Sequence, residues 1–255
     1  MRIQGISGSR GVAVGNVYKY IQEEIVIPDY EVTDDQVEAE IGKFASAMAA
    51  TLKQLDTIRQ KALVDMGADE AAIFEAHMQI AQDPSLSDGI KSLVENSKMN
   101  VVAATAQTIE TFAAIFIGMD DPYMRERGAD IKDIGDRLMR NMLGMNPRGL
   151  SHISGEVIIV AHDLAPSDTA SLDKNVVKGI VTAAGGPTSH AAIMARTLEI
   201  PAVMGVGDIE SFTDDVRAVV LGTDGEVITE PSAEEWERYT KEAADFKAAF
   251  TRLKD

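Results

Sequence analysis

The sequence contains no cysteine. Disulfides, zinc–thiolate sites and cysteine nucleophiles are therefore excluded, and the chain fits a reducing compartment. Long apolar runs are missing too. The opening MRIQGISGSRG has no signal-peptide core, and the most apolar stretch, residues 112–119, is far too short to span a bilayer. These absences read as a cytoplasmic protein with no membrane insertion. Basic side chains are scarce: 24 Lys and Arg stand against 41 Asp and Glu, a net charge of −17. Such a surface repels nucleic-acid backbones and anionic lipid heads. It would attract a basic protein partner, or it serves simply to keep the chain soluble. No G-x-x-x-x-G-K-[ST] loop occurs, and Ser189 is not in the G-x-S-x-G frame of a serine hydrolase. His152 and His162 are ten residues apart with only Asp163 beside them, so no metal site is assigned.

What is present is enough for a real core: 255 residues, 45% of them apolar, or one large domain or two small ones. Three textures follow one another. Residues 1–30 hold β-branched pieces among glycines, at Val12, Val14 and Val17 and again at Ile25, Val26 and Ile27, and read as strands. Residues 31–145 read as helices. Thr33 with Gln36 makes a capping box, and Val37, Ile41, Phe44, Met48, Leu52, Leu55 and Ile58 recur on one helical face. Gly67 stops that helix. Further helices are expected over 70–82, 85–96, 100–117 and 122–143, with Gly128 and Gly135 leaving room for a break in the last. Packed stripe to stripe, they form a bundle. From 154 onward EVIIVA, VVKGIVTA and IPAVMGV read as strands with helices between, and AVVLGTDGEVITEP as strand, Asp-Gly turn, strand. A last helix starts near Ser232 with the apolar stripe Trp236, Tyr239, Ala243, Phe246 and Phe250. A few N-terminal strands are marginal alone, so they are expected to pair with the later layer, with the bundle inserted between. The expected organisation is residues 1–30 plus 146–231 as an α/β subdomain, 31–145 as the helical insertion, and 232–255 as a C-terminal linker helix.

The stretch GGPTSHAAIMAR, residues 185–196, places a histidine where a loop becomes a helix. Gly185 and Gly186 allow positive φ and close approach to the backbone. Thr188 or Ser189 can cap the helix, which leaves His190 in its first turn. Unpaired amides and the helix dipole favour an anion there. The same field disfavours an imidazolium, so the ring keeps a lone pair. That suits attack on a phosphoryl group. Read from these residues alone, His190 is either such a nucleophile or a hydrogen-bonded structural histidine.

GGPTSHAAIMARTLEIPAVMG resembles the phosphohistidine signature shared by Enzyme I of the bacterial phosphoenolpyruvate:sugar phosphotransferase system, pyruvate phosphate dikinase and phosphoenolpyruvate synthase. GISGSRGVAVG, AAIFEAHMQIAQDP, ERGADIKDIGDRLMRNMLG and VIIVAHDLAPSDTASLD resemble Enzyme I in particular, and the match covers nearly the whole chain. The implied fold is an α/β phosphohistidine (swivelling) domain with an inserted all-helical bundle subdomain and a C-terminal helix. The implied activity is phosphoryl transfer: His190 is phosphorylated on Nε2, ultimately from phosphoenolpyruvate, and passes the group to a histidine of the small carrier HPr. By the same resemblance Thr169 lies near the ring, although it would serve equally as a helix-cap threonine. Gly185, Gly186, Thr188, Ser189 and Arg196 are expected around the phosphate, with Arg196 reaching back along the helix. Ile73, His77, Ile80, Asp83, Leu86, Tyr123 and Arg127 match the positions that dock HPr, though Ile73, His77 and Ile80 share a face that could equally be core.

The chain departs from the family pattern in two places. Pro187 stands where many sugar-system members have arginine, and Asp69 and Glu70 stand where some have lysine. A nitrogen-regulatory or dihydroxyacetone-linked branch therefore stays open, as does a module that only binds HPr. The family's C-terminal barrel, which binds phosphoenolpyruvate and Mg2+ and supplies dimer contacts, would begin where this chain stops at Asp255. The chain alone is thus expected to need no cofactor, to be a monomer, and to exchange phosphate with phospho-HPr without phosphorylating itself from phosphoenolpyruvate. The full-length enzyme is expected to be a homodimer.

Overall fold

The computed structural model describes residues 1–146, 150 and 153–252, with the side chains of Pro122, Tyr123, Glu126 and residues 249–252 outside that description. His152, and the side chains of Tyr123 and Phe250, therefore lie outside the described residues. Strands β1 (Arg2–Gln4), β2 (Ile6–Ser9) and β3 (Val12–Tyr20) come first. Five helices follow: α1 (Val37–Asp65), α2 (Ala68–Ala81), α3 (Pro84–Ser97), α4 (Val101–Ile117) and α5 (Pro122–Leu143). Then come β4 (Val157–Ala161), α6 (Pro166–Ala170), β5 (Val177–Thr182), α7 (His190–Thr197) and β6 (Ala202–Met204), and finally β7 (Arg217–Leu221), β8 (Glu226–Thr229) and α8 (Ala233–Arg252). The chain divides into two compact units, Met1–Gln22 with Gly149–Asp255, and Glu23–Arg148. Among the described residues no helix is long and apolar enough to cross a membrane.

The first unit is an eight-stranded sheet in the order β1-β8-β7-β3-β4-β5-β6-β2. Its centre, β3 to β6, is parallel, with Tyr18 opposite Ile159 and Ile159 opposite Ile180. The early strands join the late layer, as β3 also pairs antiparallel with β7 and β1 with β8. The run VIIVA of β4 is buried at every residue, as a strand covered on both faces must be. One face buries Val17, Ile158, Val160, Val181, Val203 and Val220 under Phe212. On the other, Val12, Val14, Val219, Leu221 and Ile228 lie under Tyr239 and Trp236 of α8. The last helix, expected as a C-terminal linker with an apolar stripe, packs on the sheet through Trp236 and Tyr239 of that stripe.

Helix α8 begins with a reciprocal cap. The Ser232 N–H donates to Glu235 Oε2 at 3.0 Å and the Glu235 N–H to Ser232 Oγ at 3.1 Å. The Ser232 N–H, and more weakly the Arg2 guanidinium, hold the Glu235 carboxyl below its ordinary value. A lowered carboxyl stabilises the fold above the ordinary carboxylate range and loses that contribution as pH falls through its folded value. The Ser232 amide resonance should therefore titrate with a midpoint below that of an unperturbed glutamate. A midpoint at or above the ordinary value would rule the cap out.

The second unit is the helical bundle. Phe44, Leu86, Ile90, Val94, Val102, Ile109, Ile131 and Leu138 form its centre. Asp83 caps α3 by accepting the Ser85 N–H at 2.8 Å, with Pro84 in the first turn. Two expectations fail here. Residues 25–27 form no strand, and the helical unit begins at Glu23, not at 31. The segment is held by side chains instead of a sheet edge. Asn100 Nδ2 donates to the carbonyls of Pro28 and Tyr30, and Arg140 Nη2 to that of Glu23, while Val26 is left 78% exposed. Nor does α5 break. A Cβ at Gly128 would sit 2.5 Å from Ile117, and one at Gly135 2.6 Å from Ile109. The two glycines let α4 and α5 approach closely.

Candidate functional site

The parallel strands β3 to β6 end at one edge of the sheet, where open α/β sheets place their ligands. The loop after β5 is built there from backbone bonds. Ala183 N–H donates to Ala161 O and Ala184 N–H to His162 O, which prolongs the β4–β5 pairing. Val206 and Gly207, just after β6, donate to Thr182 O and Ala183 O. Thr182 Oγ1 turns back to Ala184 O at 2.7 Å. Gly185 takes φ +90, and a Cβ there would press on Ser189 Oγ at 3.2 Å, so this turn requires glycine.

Ser189 is the N-cap of α7, and its Oγ accepts the Ala192 N–H at 3.3 Å. His190 follows as the first helical residue and is half-buried. The helix lies close to the sheet because the face it buries is small: Ala191, Ala192 and Ala195, with Met194. Thr188 and Gly185 are exposed and Gly186 half-exposed. A ring at this position stands beside first-turn amides and the positive end of the helix dipole, which favour an incoming anion.

Thr169 lies on α6, which packs against α7. It is fully buried, and its hydroxyl donates to Pro166 O at 2.9 Å. Its oxygen can therefore act toward a neighbour only as an acceptor. Arg196 does not reach the site. Six residues along a helix is about 9 Å of rise and most of two turns, and its Nη1 donates to Gly8 O at 2.7 Å. The expected phosphate contact is corrected to an anchor that ties α7 to β2. His162 and Asp163 are exposed, and Asp163 Oδ1 accepts the Leu164 N–H. Among the described residues no three His, Asp or Glu side chains gather as a metal site.

The expected docking residues separate. His77 is fully buried in the helical unit, with Phe74 edge-on at 5.6 Å. Its Nε2 lies 3.1 Å from Asp130 Oδ1 and its Nδ1 4.0 Å from Asp133 Oδ2, outside hydrogen-bonding geometry. Leu86 is in the core. Neither can meet a partner. The buried row of α2 is Ala71, Phe74, His77 and Ala81; the spacing 73, 77, 80 straddles its edge. Ile73 and Ile80 are half-buried, Asp83 is exposed, and Arg127 is half-buried with Nη1 3.7 Å from Asp130. Beside them a groove of about 460 Å³ is lined by Asp56, Arg59, Glu75, Met78, Gln79 and Gln82.

One group escapes sequence reading. Asp168 is a fully buried carboxylate. Its Oδ1 accepts the Tyr20 hydroxyl at 2.8 Å, and its Oδ2 accepts the Ala165 N–H at 2.9 Å and Gln22 Nε2 at 3.3 Å. Its only local signal is the third position of a helix that opens with Pro166. Tyr20 is 148 residues away.

Residues 4–127 match the family model described as PEP-utilising enzyme, N-terminal, and residues 153–225 match PEP-utilising enzyme, mobile domain. The phosphoenolpyruvate-protein phosphotransferase of Listeria monocytogenes is 41% identical over 257 residues, covering 99% of this chain and 45% of that protein. That of Priestia megaterium is 41% identical over 255 residues, covering 98% and 44%. The chain thus spans less than half the length of these relatives. A solution structure of Enzyme I (nEIt) superposes with a TM-score of 0.84 at 36% identity, covering 96% of this chain and 99% of that one. The N-terminal domain of a nitrogen Enzyme 1 shares the fold, with a TM-score of 0.63 at 24% identity over 94% of this chain and 98% of that one.

Proposed function

The chain belongs to the Enzyme I family of PEP-utilising enzymes, as an N-terminal region, and from that membership we propose that it carries a phosphoryl group on His190 and exchanges it with a histidine of a small HPr-type carrier protein. The observation that carries the reading is the placing of His190. It is the first residue of α7, behind a Gly-Gly turn, at the edge where the parallel strands end.

The transfer is a displacement at phosphorus. The lone pair of one imidazole nitrogen of His190 forms the new N–P bond as the N–P bond to the carrier's histidine breaks. The carrier's imidazole leaves with the electron pair, and the reverse step returns the group. The protein has little covalent work to do beyond positioning and charge stabilisation. First-turn amides of α7 face the phosphoryl oxygens. The turn at Gly185 and Gly186 brings main chain, not bulk, beside them, and Thr188 and Ser189 flank them. The Thr169 hydroxyl donates its hydrogen bond to Pro166 O. It acts as acceptor for the ring N–H of His190, which leaves the lone pair on the other nitrogen. The relatives' name gives phosphoenolpyruvate as the phosphoryl source in them, and the same ultimate source is proposed for His190.

The carrier docks on the helical unit, on the outward side of α2 and the start of α3. Ile73, Ile80, Asp83 and Arg127 are the expected docking residues with exposed or half-exposed side chains. The acidic balance of the chain favours a basic partner and speeds its approach. To test the reading, the chain is mixed with phosphorylated HPr and its intact mass measured. One phosphoryl group should be gained, labile in acid and stable in base. Binding of the carrier with no gain at any time would make this a recognition module instead.

A further inference from the structure

We infer that Asp168, clasped by Tyr20, is a positioning residue for phosphoryl transfer: it pins α6 to the end of β3 and thereby sets the Thr169 hydroxyl against the His190 ring. The inference rests on the phosphohistidine reading of His190.

A carboxylate taken wholly out of water is costly unless donors surround it. Asp168 accepts from the Tyr20 hydroxyl, Gln22 Nε2 and the Ala165 N–H. These donors belong to different places. Tyr20 ends β3 and Gln22 follows it, whereas Ala165 is the cap position of α6. The carboxylate therefore bridges a helix start to a strand end.

Helix α6 is five residues long, far below the length at which a helix holds itself together. Its orientation must come from outside contacts. Ser171 Oγ donates to Asp168 O at 2.7 Å and accepts the Leu150 N–H, and this secures the backbone behind the carboxylate. The side chain of Asp168 secures the front. Thr169, the next residue, has a donor already committed to Pro166 O. Its use to a neighbouring ring is a lone pair of fixed direction, and small tilts of α6 would misdirect it. Placing groups to within fractions of an ångström is what such supporting residues do.

The test uses the whole chain with phosphorylated HPr as donor. Asp168→Asn replaces an acceptor oxygen with a donor that the Ala165 N–H or Tyr20 hydroxyl must face. Its transfer rate should fall about 10- to 100-fold, with the concentration of carrier at half-saturation changed by less than about twofold. The nitrogen resonances of the His190 ring should show a changed tautomer ratio and pH titration. Tyr20→Phe removes one hydroxyl from a clasp that keeps its other donors. It should slow transfer about 3- to 10-fold, with the same ring signature in smaller amount. If Asp168→Asn does not fold, Tyr20→Phe decides alone. Normal transfer in a folded variant overturns the inference. So does slow transfer with an unchanged ring signature, because general loosening would then explain it. Failure of the unsubstituted chain to take phosphate overturns the His190 reading, and this inference with it.

Discussion

Replacing His190 with alanine lowers phosphoryl uptake from phosphorylated HPr by at least about 10³-fold, as removal of a reacting nucleophile does. Affinity for the carrier stays within about twofold. The size of the loss follows from chemistry. No other imidazole stands at the start of α7, and the hydroxyls of Thr188 and Ser189 are poor nucleophiles without an adjacent base. The selectivity of the loss follows from structure. The cap of α7 is made by Ser189 Oγ, and its packing by Ala191, Ala192, Met194 and Ala195. None of these needs the imidazole, and alanine is the best helix former. The variant should therefore unfold within about 1 kcal/mol of the parent, so lost uptake cannot be charged to lost fold. Intact mass after incubation reads the transfer and titration calorimetry reads the binding. Retained uptake would move the phosphorylation site elsewhere.

Gly222→Ala has the largest expected effect on stability, a loss of roughly 3 kcal/mol or more. A Cβ at this position would collide with Ser9 O and lie 3.1 Å from Ala202 N and 3.2 Å from Ser9 C. All three are main-chain atoms of β2 and β6, so no side-chain rotation relieves the clash. The Gly222 N–H also donates to Gly11 O at 2.8 Å, which holds the residue in place. Strands β2 and β6 pair with each other, and α7 rests against both. Forcing them apart loosens the helix that carries His190 as well as the sheet edge. Gly42 is the control. It lies inside α1 with nothing within 4 Å of an added Cβ, and Gly42→Ala should stabilise by about 0.5–1 kcal/mol. Urea unfolding at constant slope separates the two. A Gly222→Ala protein within about 1 kcal/mol of the parent would contradict the described contact.

Periodicity and caps carried the sequence reading where structure is local. The Asp83-Pro84 start of α3 and the hairpin around Asp224-Gly225 need only neighbours within a few residues, and the structure has them; of the α1 stripe, Phe44 and Leu55 are buried and Val37, Ile41 and Met48 pack against the bundle centre. Resemblance carried the fold and the family. What escaped depends on partners distant along the chain. Ile25 to Ile27 have strand chemistry, but Asn100 and Arg140 hold the carbonyls on either side of them instead. The glycines of α5 look like breaks until Ile109 and Ile117 are seen against them. His77 lies in the buried row of α2 beside Phe74, whereas the spacing 73, 77, 80 put it on one face with two half-buried isoleucines. Arg196 donates to Gly8 O, a partner 188 residues away that its place on the helix does not reveal. Asp168 shows only its place at a helix start, since the tyrosine it binds is 148 residues away in the first strands.

The sheet joins the two extremes of the chain: Arg2 stands opposite Ile228, and the Met1 carbonyl receives the Thr229 N–H. On a translating ribosome β1 therefore waits, unpaired, until more than two hundred further residues have emerged, whereas the helices between them are contiguous and can consolidate as they appear. The sheet of the first unit is completed only after the helical segment has been made, when β6 pairs with β2 and β8 with β1.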